Sequence, residues 1–404
     1  MPIAPSPLRR RWAIAFGLYT VATNISFTQA VWVLYLAAHH YSPLAIGLFE
    51  TAFHLAKFVA EVPTGIFADL RGRRASLVAS CAVGAPASLL FLHPTAAMIA
   101  LSFALQGVSY AFRGGADSAL LWTLAARSGA PDRAATYSRL FSRMLLVTIF
   151  AQTVGTASGG FLGGIFSTLP FLCSAAAIAA GIPPLLLLPE QRLARAHRPH
   201  PLAHLRQGLH AVAGDPVLLG LLLLSGLTAS VFTTIGYYTQ LYFASLGFSL
   251  AAVGVIIAVC VVPDSLGAAL APRLLRHLPR RVVLAACIAL ECLGVLCLGI
   301  GSPALALIGF VVLLHSGDSV LYPALNTYLN ERSPEPQRAT VLSLDTGVFS
   351  AAMIVLFPLF GLGLTHIEYT VAYRWTLVAL TAGIAAIVAF VALLRTRRAS
   401  REGE

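Results

Sequence analysis

Glu61-Val62-Pro63-Thr64-Gly65-Ile66-Phe67-Ala68-Asp69-Leu70-Arg71-Gly72-Arg73-Arg74 decides how the rest of the chain is read. Apolar and small residues run up to an acid, and the chain then turns basic around a glycine. Upstream, apolar side chains dominate from Pro43 onward, and a further apolar run begins at Ala75. A helix needs about 20 apolar residues to cross the hydrocarbon. The segment therefore ends one membrane crossing, makes a tight basic loop and starts the next.

The same alternation extends over all 404 residues, 58% of which are apolar and only 11% charged. Such a chain cannot cover a water-soluble globule with polar side chains, and membrane lipid must solvate it. Twelve helical spans are predicted: 12–37, 43–68, 75–93, 95–126, 135–164, 168–188, 217–246, 249–271, 281–300, 303–330, 339–364 and 371–394, numbered helix 1 to helix 12 below. The net charge of +11 lies almost entirely in alternate loops, as with Arg9, Arg10 and Arg11 before helix 1, Arg127 and Arg133 after helix 4, and Arg273, Arg276, Arg280 and Arg281 after helix 8. The intervening loops around His39, Pro94, Ser167, Gly247 and Ser302 carry no Lys or Arg. By the positive-inside rule both termini are cytoplasmic, in the cell inner membrane. The basic charge thus serves topology, and no nucleic-acid partner is expected. The apolar run after the first arginines continues to Leu36, too long for a cleaved signal, so helix 1 is retained. Cys81, Cys173, Cys260, Cys287, Cys292 and Cys297 all fall inside spans with no metal or redox spacing, so neither a metal site nor a cofactor is expected.

The chain repeats at about 200 residues. Asp117-Ser118-Ala119-Leu120 in helix 4 recurs as Asp318-Ser319-Val320-Leu321 in helix 10, and Arg133-Ala134 recurs as Arg338-Ala339. Six spans return the chain to its starting side, so residues 1–188 and 216–404 are expected to be parallel six-helix bundles. The polar linker 189–215 between them places Leu202, Leu205, Leu209 and Val212 at helical spacing, predicting a short helix on the inner membrane face. His197, His200, His204 and His210 in the linker fit a basic, solvated surface better than a metal site.

Gly65 to Arg74 resembles the loop signature G-x-x-x-D-[RK]-x-G-[RK]-[RK] of the major facilitator superfamily, with Leu70 where that family usually has a base. With Glu61-Val62-Pro63-Thr64 before it, the run is similar to the E-[VI]-P-T-G branch, which contains many drug/proton antiporters. The resemblance implies an all-α fold of two six-helix bundles and alternating access, with Gly65, Asp69, Arg71, Gly72, Arg73 and Arg74 as gating residues. The glycines permit the turn, and Asp69 is expected against a helix N-terminus in the other half, where the dipole favours a carboxylate. Gly155 to Gly164 in helix 5 resembles the antiporter signature G-x-x-x-G-P-x-x-G-G, with Gly160 in place of proline. Gly155, Gly159 and Gly163 form one small-residue stripe that admits a close neighbour. In helix 4, Gln106-Gly107 matches part of R-x-x-Q-G, with Phe103 replacing the arginine.

Ionisable side chains within hydrocarbon are costly and usually face water or one another. Helix 2 carries Glu50, His54, Lys57 and Glu61 within about 60° of one another, one polar stripe around the chain's only lysine. Helix 4 offers Arg113 and Asp117 one turn apart, either an internal ion pair or a fork for a carboxylate-bearing ligand. Helix 10 presents His315, Asp318, Tyr322 and Asn326 along one face, while Asp264 in helix 8 and Glu291 in helix 9 are isolated acids. Proton-coupling candidates are Glu50, His54, Lys57, Glu61, Asp117, Asp264 and Asp318; Glu291 ranks below them because helix 9 is peripheral in the fold that the resemblance implies. Because that fold lines its cavity with helices 1, 4, 7 and 10, the resemblance also implicates Asn24, Gln29, Arg113, Gln152, Thr234, Tyr237, Tyr238, Gln240, His315, Tyr322 and Asn326 in substrate binding.

No G-x-x-x-x-G-K-[ST] loop is present, so ATP is not the direct energy source. The sequence predicts a monomeric secondary transporter rather than an enzyme, exporting small, partly apolar organic molecules in exchange for protons. Import of a nutrient or iron chelate by the same fold is the first alternative, and a non-transporting receptor or lipid-modifying enzyme the second. Cysteines placed at Ser167 or Ser302 are expected to react with an impermeant reagent from outside the cell, and those at Ser6 or Ser400 only after permeabilisation; the reverse pattern overturns the topology.

Overall fold

The computed structural model describes residues 7–127, 132–190 and 209–402. Among these residues every regular element is helical. Ten helices are long and apolar enough to cross a membrane, from Pro43–Arg71 to Tyr369–Arg397. The other two expected spans are helical but interrupted. Helix 1 runs Pro7–Asn24, loses its helix, and resumes at Trp32–Ala38. Helix 4 is split into Ala96–Arg113 and Ala116–Arg127 at Gly114 and Gly115, the latter with φ +69°. Leu202, Leu205, His197, His200 and His204 of the linker lie outside the described residues.

The chain divides into two compact units. Unit 1 comprises Met1–Tyr41, Phe49–Ala196 and Phe248–Ala258; unit 2 comprises Ser42–Leu48, His197–Gly247 and Val259–Glu404. In unit 1 a side-chain-free position sets the spacing of helices 2 and 4: a Cβ on Gly107 would overlap the carbonyl oxygen of Phe53 and lie 3.0 Å from the Lys57 nitrogen. The glycine stripe of helix 5 seats the non-helical part of helix 1, since a Cβ on Gly155 would lie 2.5 Å from the Ser26 nitrogen and one on Gly159 would overlap the Phe27 carbonyl. Gly160, where the antiporter signature has proline, meets the Leu250 carbonyl and Gly254 at the start of helix 8.

Unit 2 contains a different irregularity. Helix 10 begins as Pro303–Leu307, widens to a π-helix over Ile308–Leu314 and continues as Arg-terminated α-helix from His315 to Arg332. Helix 9, Arg280–Leu298, packs closely on the widened segment, with a Cβ on Gly294 only 2.7 Å from the Gly309 carbonyl. Asp117 and Asp318, matched in the sequence repeat, therefore sit in different local settings: Asp117 in the first turn after a glycine break, Asp318 just beyond a π-turn.

Helix 7, Pro216–Ser245, starts on a cap readable in the sequence as Asp-Pro. The Asp215 carboxylate accepts from the backbone N–H of Val217 at 3.0 Å and Leu218 at 3.3 Å, and from Arg332 Nε at 2.6 Å and Nη2 at 3.2 Å. Partial burial pushes the Asp215 pKa up, but the bonds from Arg332 and the two backbone N–H groups outweigh it and hold the carboxyl below its ordinary range. Stability gained from a depressed carboxyl is present above the unfolded-state pKa and is lost as pH falls through the folded-state value. Asp215→Ala is expected to cost about 1 kcal/mol. Its lowered Tm in detergent should hold at neutral pH, and the difference from wild type should close on acidification below about pH 4.

Candidate functional site

At the end of the first helical stretch of helix 1, Asn24 meets the break in helix 4. Arg113 is the last residue before that break and Asp117 lies in the first turn after it, so two glycines between them decide how the pair is aimed. Arg113 Nε donates to Asp117 Oδ2, Nη1 to the Thr23 carbonyl and Nη2 to Asn24 Oδ1, each at 3.4 Å. All three contacts are longer than ordinary charge-assisted hydrogen bonds. The other Asp117 oxygen accepts a tighter bond, 2.8 Å, from the Tyr19 hydroxyl. Tyr19, Asn24, Arg113 and Asp117 border a cavity of about 140 Å³ whose apolar wall includes Phe16, Leu121, Phe141, Met144 and Leu145. A loosely held guanidinium opposite an apolar wall can take an anionic or carbonyl group without surrendering a strong bond.

The helix 2 stripe separates into distinct settings. Glu50 and His54 are buried and approach to 3.6 Å. Lys57 is buried as well, yet its ammonium lies over the Tyr110 ring, 4.9 Å from the centroid, and forms no ion pair within 4 Å among the described residues. Glu61 is exposed. Closeness of helices 2 and 4 at Gly107 brings Tyr110 under Lys57. The lysine is thus placed against an aromatic face, an arrangement that favours a cation, and not directly between the two acids.

In unit 2, helices 8 and 10 join residues that are 51 positions apart: His315 Nδ1 and Asp264 Oδ1 are 2.9 Å from each other. Phe232 and Phe310 set their rings edge-on to the imidazole at 5.0 and 5.1 Å. Asp318 lies one turn beyond His315, and Glu291 of helix 9 packs against Gly317. Tyr322 is exposed, and Asn326 accepts from Asn330 Nδ2 through both its carbonyl and its side chain, so the lower part of this face is separate from the acids. On helix 7, Thr234, Tyr238 and Gln240 are buried. Tyr238 donates to the Pro43 carbonyl at 2.7 Å and the Phe357 carbonyl at 3.2 Å, while the Tyr237 ring meets Phe357. Gln152 is exposed and Gln29 half-buried.

In the loop after helix 2, Gly72 has φ +103°, a conformation suited to glycine. Asp69 pairs with Arg73 at 2.9 Å. The carboxylate on the first turn of helix 3 is Glu190, which accepts from the backbone N–H of Arg74 and Ala75 and from Arg74 Nε, each at 3.2 Å. Gly65 and Arg71 lie on the last turns of helix 2. Beside the loop, Arg73, Trp122, Arg133 and Tyr137 border an open cavity of about 520 Å³, with Arg133 stacked on Trp122.

Sequence reasoning missed Tyr19, Glu190 and Asp345. Asp345 on helix 11 was readable as a lone acid in an apolar run, and its Oδ1 is buried without a hydrogen-bond partner. Tyr19 and Glu190 carried no such signal, because both act on residues about 100 positions away.

The statistical model of the Major Facilitator Superfamily matches residues 12–279 and 242–404. An uncharacterized MFS-type transporter, YxaM of Bacillus subtilis (strain 168), is 24% identical over 343 residues, which is 82% of this chain and 84% of that protein. The crystal structure of the nucleoside transporter NupG is similar with a TM-score of 0.76 at 13% identity, covering 95% of this chain and 99% of its own. That of a D-xylose–proton symporter gives 0.69 at 15% identity, covering 95% and 96%.

Removing one partner of a buried ion pair costs about 3–5 kcal/mol; Arg113 and Asp117 remain 26% and 34% exposed, which reduces the expected loss for Asp117→Asn to about 1–2 kcal/mol. The double variant Arg113→Met with Asp117→Asn should recover most of that loss, as read from thermal unfolding in detergent.

Proposed function

The chain belongs to the major facilitator superfamily, and on that premise we propose that it exports small, partly apolar organic molecules across the cell inner membrane in exchange for protons. As a member of a family of multi-pass transporters it carries a small-molecule substrate and is not an enzyme. In this reading residues 1–188 and 216–404 are the two halves, the linker 189–215 and both termini are cytoplasmic, and the monomer works by alternating access.

The observation that carries the substrate class is the cavity at Arg113. One wall is a guanidinium held by three 3.4 Å contacts, the other is built of phenylalanine, leucine and methionine. A polar or anionic head on the first and an apolar body on the second describes an amphipathic organic solute. Its small volume, about 140 Å³, suits the head of such a molecule. The Glu61-Val62-Pro63-Thr64-Gly65 run and the glycine stripe of helix 5, both similar to antiporter signatures, support outward exchange for protons. Glu50 with His54, and Asp264 with His315, pair a carboxylate with an imidazole inside membrane-spanning helices, and these pairs are the proton-exchange candidates of this reading. Asp69, Arg71, Gly72, Arg73 and Arg74 serve the conformational cycle in this reading.

The test is flux in proteoliposomes under an imposed pH gradient, over a library of drugs, sugars and chelates. Partly apolar compounds are expected to move opposite to the protons, and Arg113→Lys should raise their KM about tenfold, the loss of one charge-assisted hydrogen bond. Flux indifferent to the gradient removes proton coupling; a sugar or iron chelate moving with the protons replaces export by import.

A further inference from the structure

Glu291 sits on the helix that sequence reasoning ranked lowest, and it is the most enclosed acid among the described residues, 2% exposed. Its Oε1 has no hydrogen-bond partner. Room for the side chain is made by Gly317 of helix 10: a Cβ there would lie 3.0 Å from Glu291 Cγ and 2.9 Å from the Cys287 carbonyl. The adjoining residue on helix 10 is Asp318, one position beyond the glycine that packs on Glu291. One turn earlier on helix 10 is His315, bonded to Asp264 of helix 8.

The two ends of this series differ in exposure. The Asp264 side chain is 44% exposed and that of His315 13%. Asp318 follows on the same face as His315, and Glu291 lies at the enclosed end. The titratable groups near Glu291 are Cys287 and Cys292 on its own helix and Asp318 on helix 10, with His315 and Asp264 behind it. Among the described residues no arginine or lysine forms an ion pair with it within 4 Å. A buried carboxylate with an unpaired oxygen and no cation is among the costliest groups a protein can hold, whereas the protonated acid is far cheaper. Among the described residues no three His, Cys, Asp or Glu side chains converge as a metal site. The ligand that this geometry accommodates is therefore a proton and not a metal cation.

We propose that Glu291 is a proton-binding residue, loaded and emptied through Asp318 and the His315–Asp264 pair. The transfer breaks the O–H bond of one carboxylic acid and forms that of the other, so Glu291 and Asp318 exchange a proton while their summed charge is unchanged. Delivery from Asp264 by way of His315 conserves protons in the same manner. The purpose of this relay rests on the proton-exchange reading above, but the proton's presence on Glu291 is measurable without it.

The experiment is infrared difference spectroscopy of the full chain in phosphatidylethanolamine–phosphatidylglycerol liposomes, stepped in pH with no substrate and no gradient. The wild type is expected to show a protonated-carboxyl stretch that bleaches as pH rises. Glu291→Gln, which is isosteric with the protonated acid, should remove that component, Glu291→Asp should displace it, and Asp318→Asn should shift its midpoint by about one pH unit, as for a coupled pair. Isotopic labelling of glutamate in the wild type separates a glutamate band from an aspartate band, so a titrating band that labelling leaves in place overturns the proposal even if a variant fails to fold. Identical titrating spectra in wild type and Glu291→Gln overturn the proposal, and so does a Glu291 stretch that is constant at every pH. A band that titrates in a protein whose flux ignores pH leaves this assignment standing and defeats the exchange reading; gradient-driven flux without the band does the opposite.

Discussion

Hydrocarbon offers no hydrogen-bonding partner to a backbone amide or carbonyl and none to a charge, so a chain that crosses it must satisfy both from within. Helices do so automatically, and the consequence here is a chain whose described elements are all helical. The constraint is sharper at the exceptions. Where helix 1 gives up its hydrogen bonds after Asn24, its backbone is pressed against Gly155 and Gly159 of helix 5, positions without side chains. Helix 4 breaks at two glycines, and the guanidinium and carboxylate side chains that flank the break are met by Thr23, Asn24 and Tyr19. The cavity at Arg113 exists because two interruptions in different helices face each other.

Charged side chains obey the same rule with a different currency. Several intramembrane ionisable groups have a partner suited to their chemistry: an aspartate and a carbonyl for Arg113, an aromatic face for Lys57, an imidazole for Glu50 and for Asp264. Glu291 departs from this pattern, buried with one carboxyl oxygen that has no hydrogen-bond partner. Asp264 on helix 8 is thus partly exposed and paired, whereas Glu291 on helix 9 is enclosed with one oxygen lacking a partner.

Much of this was legible in the sequence because membrane helices are specified by local composition. Span positions, the alternation of arginine-rich loops and the glycine that turns the loop at Gly72 all follow from residues close in the chain. Arg113 with Asp117 was legible as an i, i+4 pair, although the structure forms it across a break that Gly114-Gly115 announces. Partnerships over long separations were not. The stripe on helix 2 looked like a ladder centred on Lys57, but the ammonium turned to Tyr110, whose approach depends on Gly107. The carboxylate at the start of helix 3 came from Glu190, beyond helix 6, whereas Asp69 bonded to nearby Arg73. Asp264 looked isolated until helix 10 brought His315 beside it.

The π-helical segment of helix 10 has a consequence for what the chain can lose. A π-turn holds one residue more than an α-turn, and each residue of an α-helix advances the side-chain direction by about 100°. The stretch Ile308–Leu314 therefore contains a surplus that α-geometry does not require. Deleting a single residue there would let the helix close into an unbroken α-ladder, and because the wide turn had absorbed the surplus, the segment from His315 onward would keep nearly its direction. What would change is the packing at the turn itself, where helix 9 sets Gly294 against the Gly309 carbonyl. Insertions and deletions are ordinarily tolerated in loops and resisted in helices; in this helix the wide turn is the place where the loss of one residue can be absorbed.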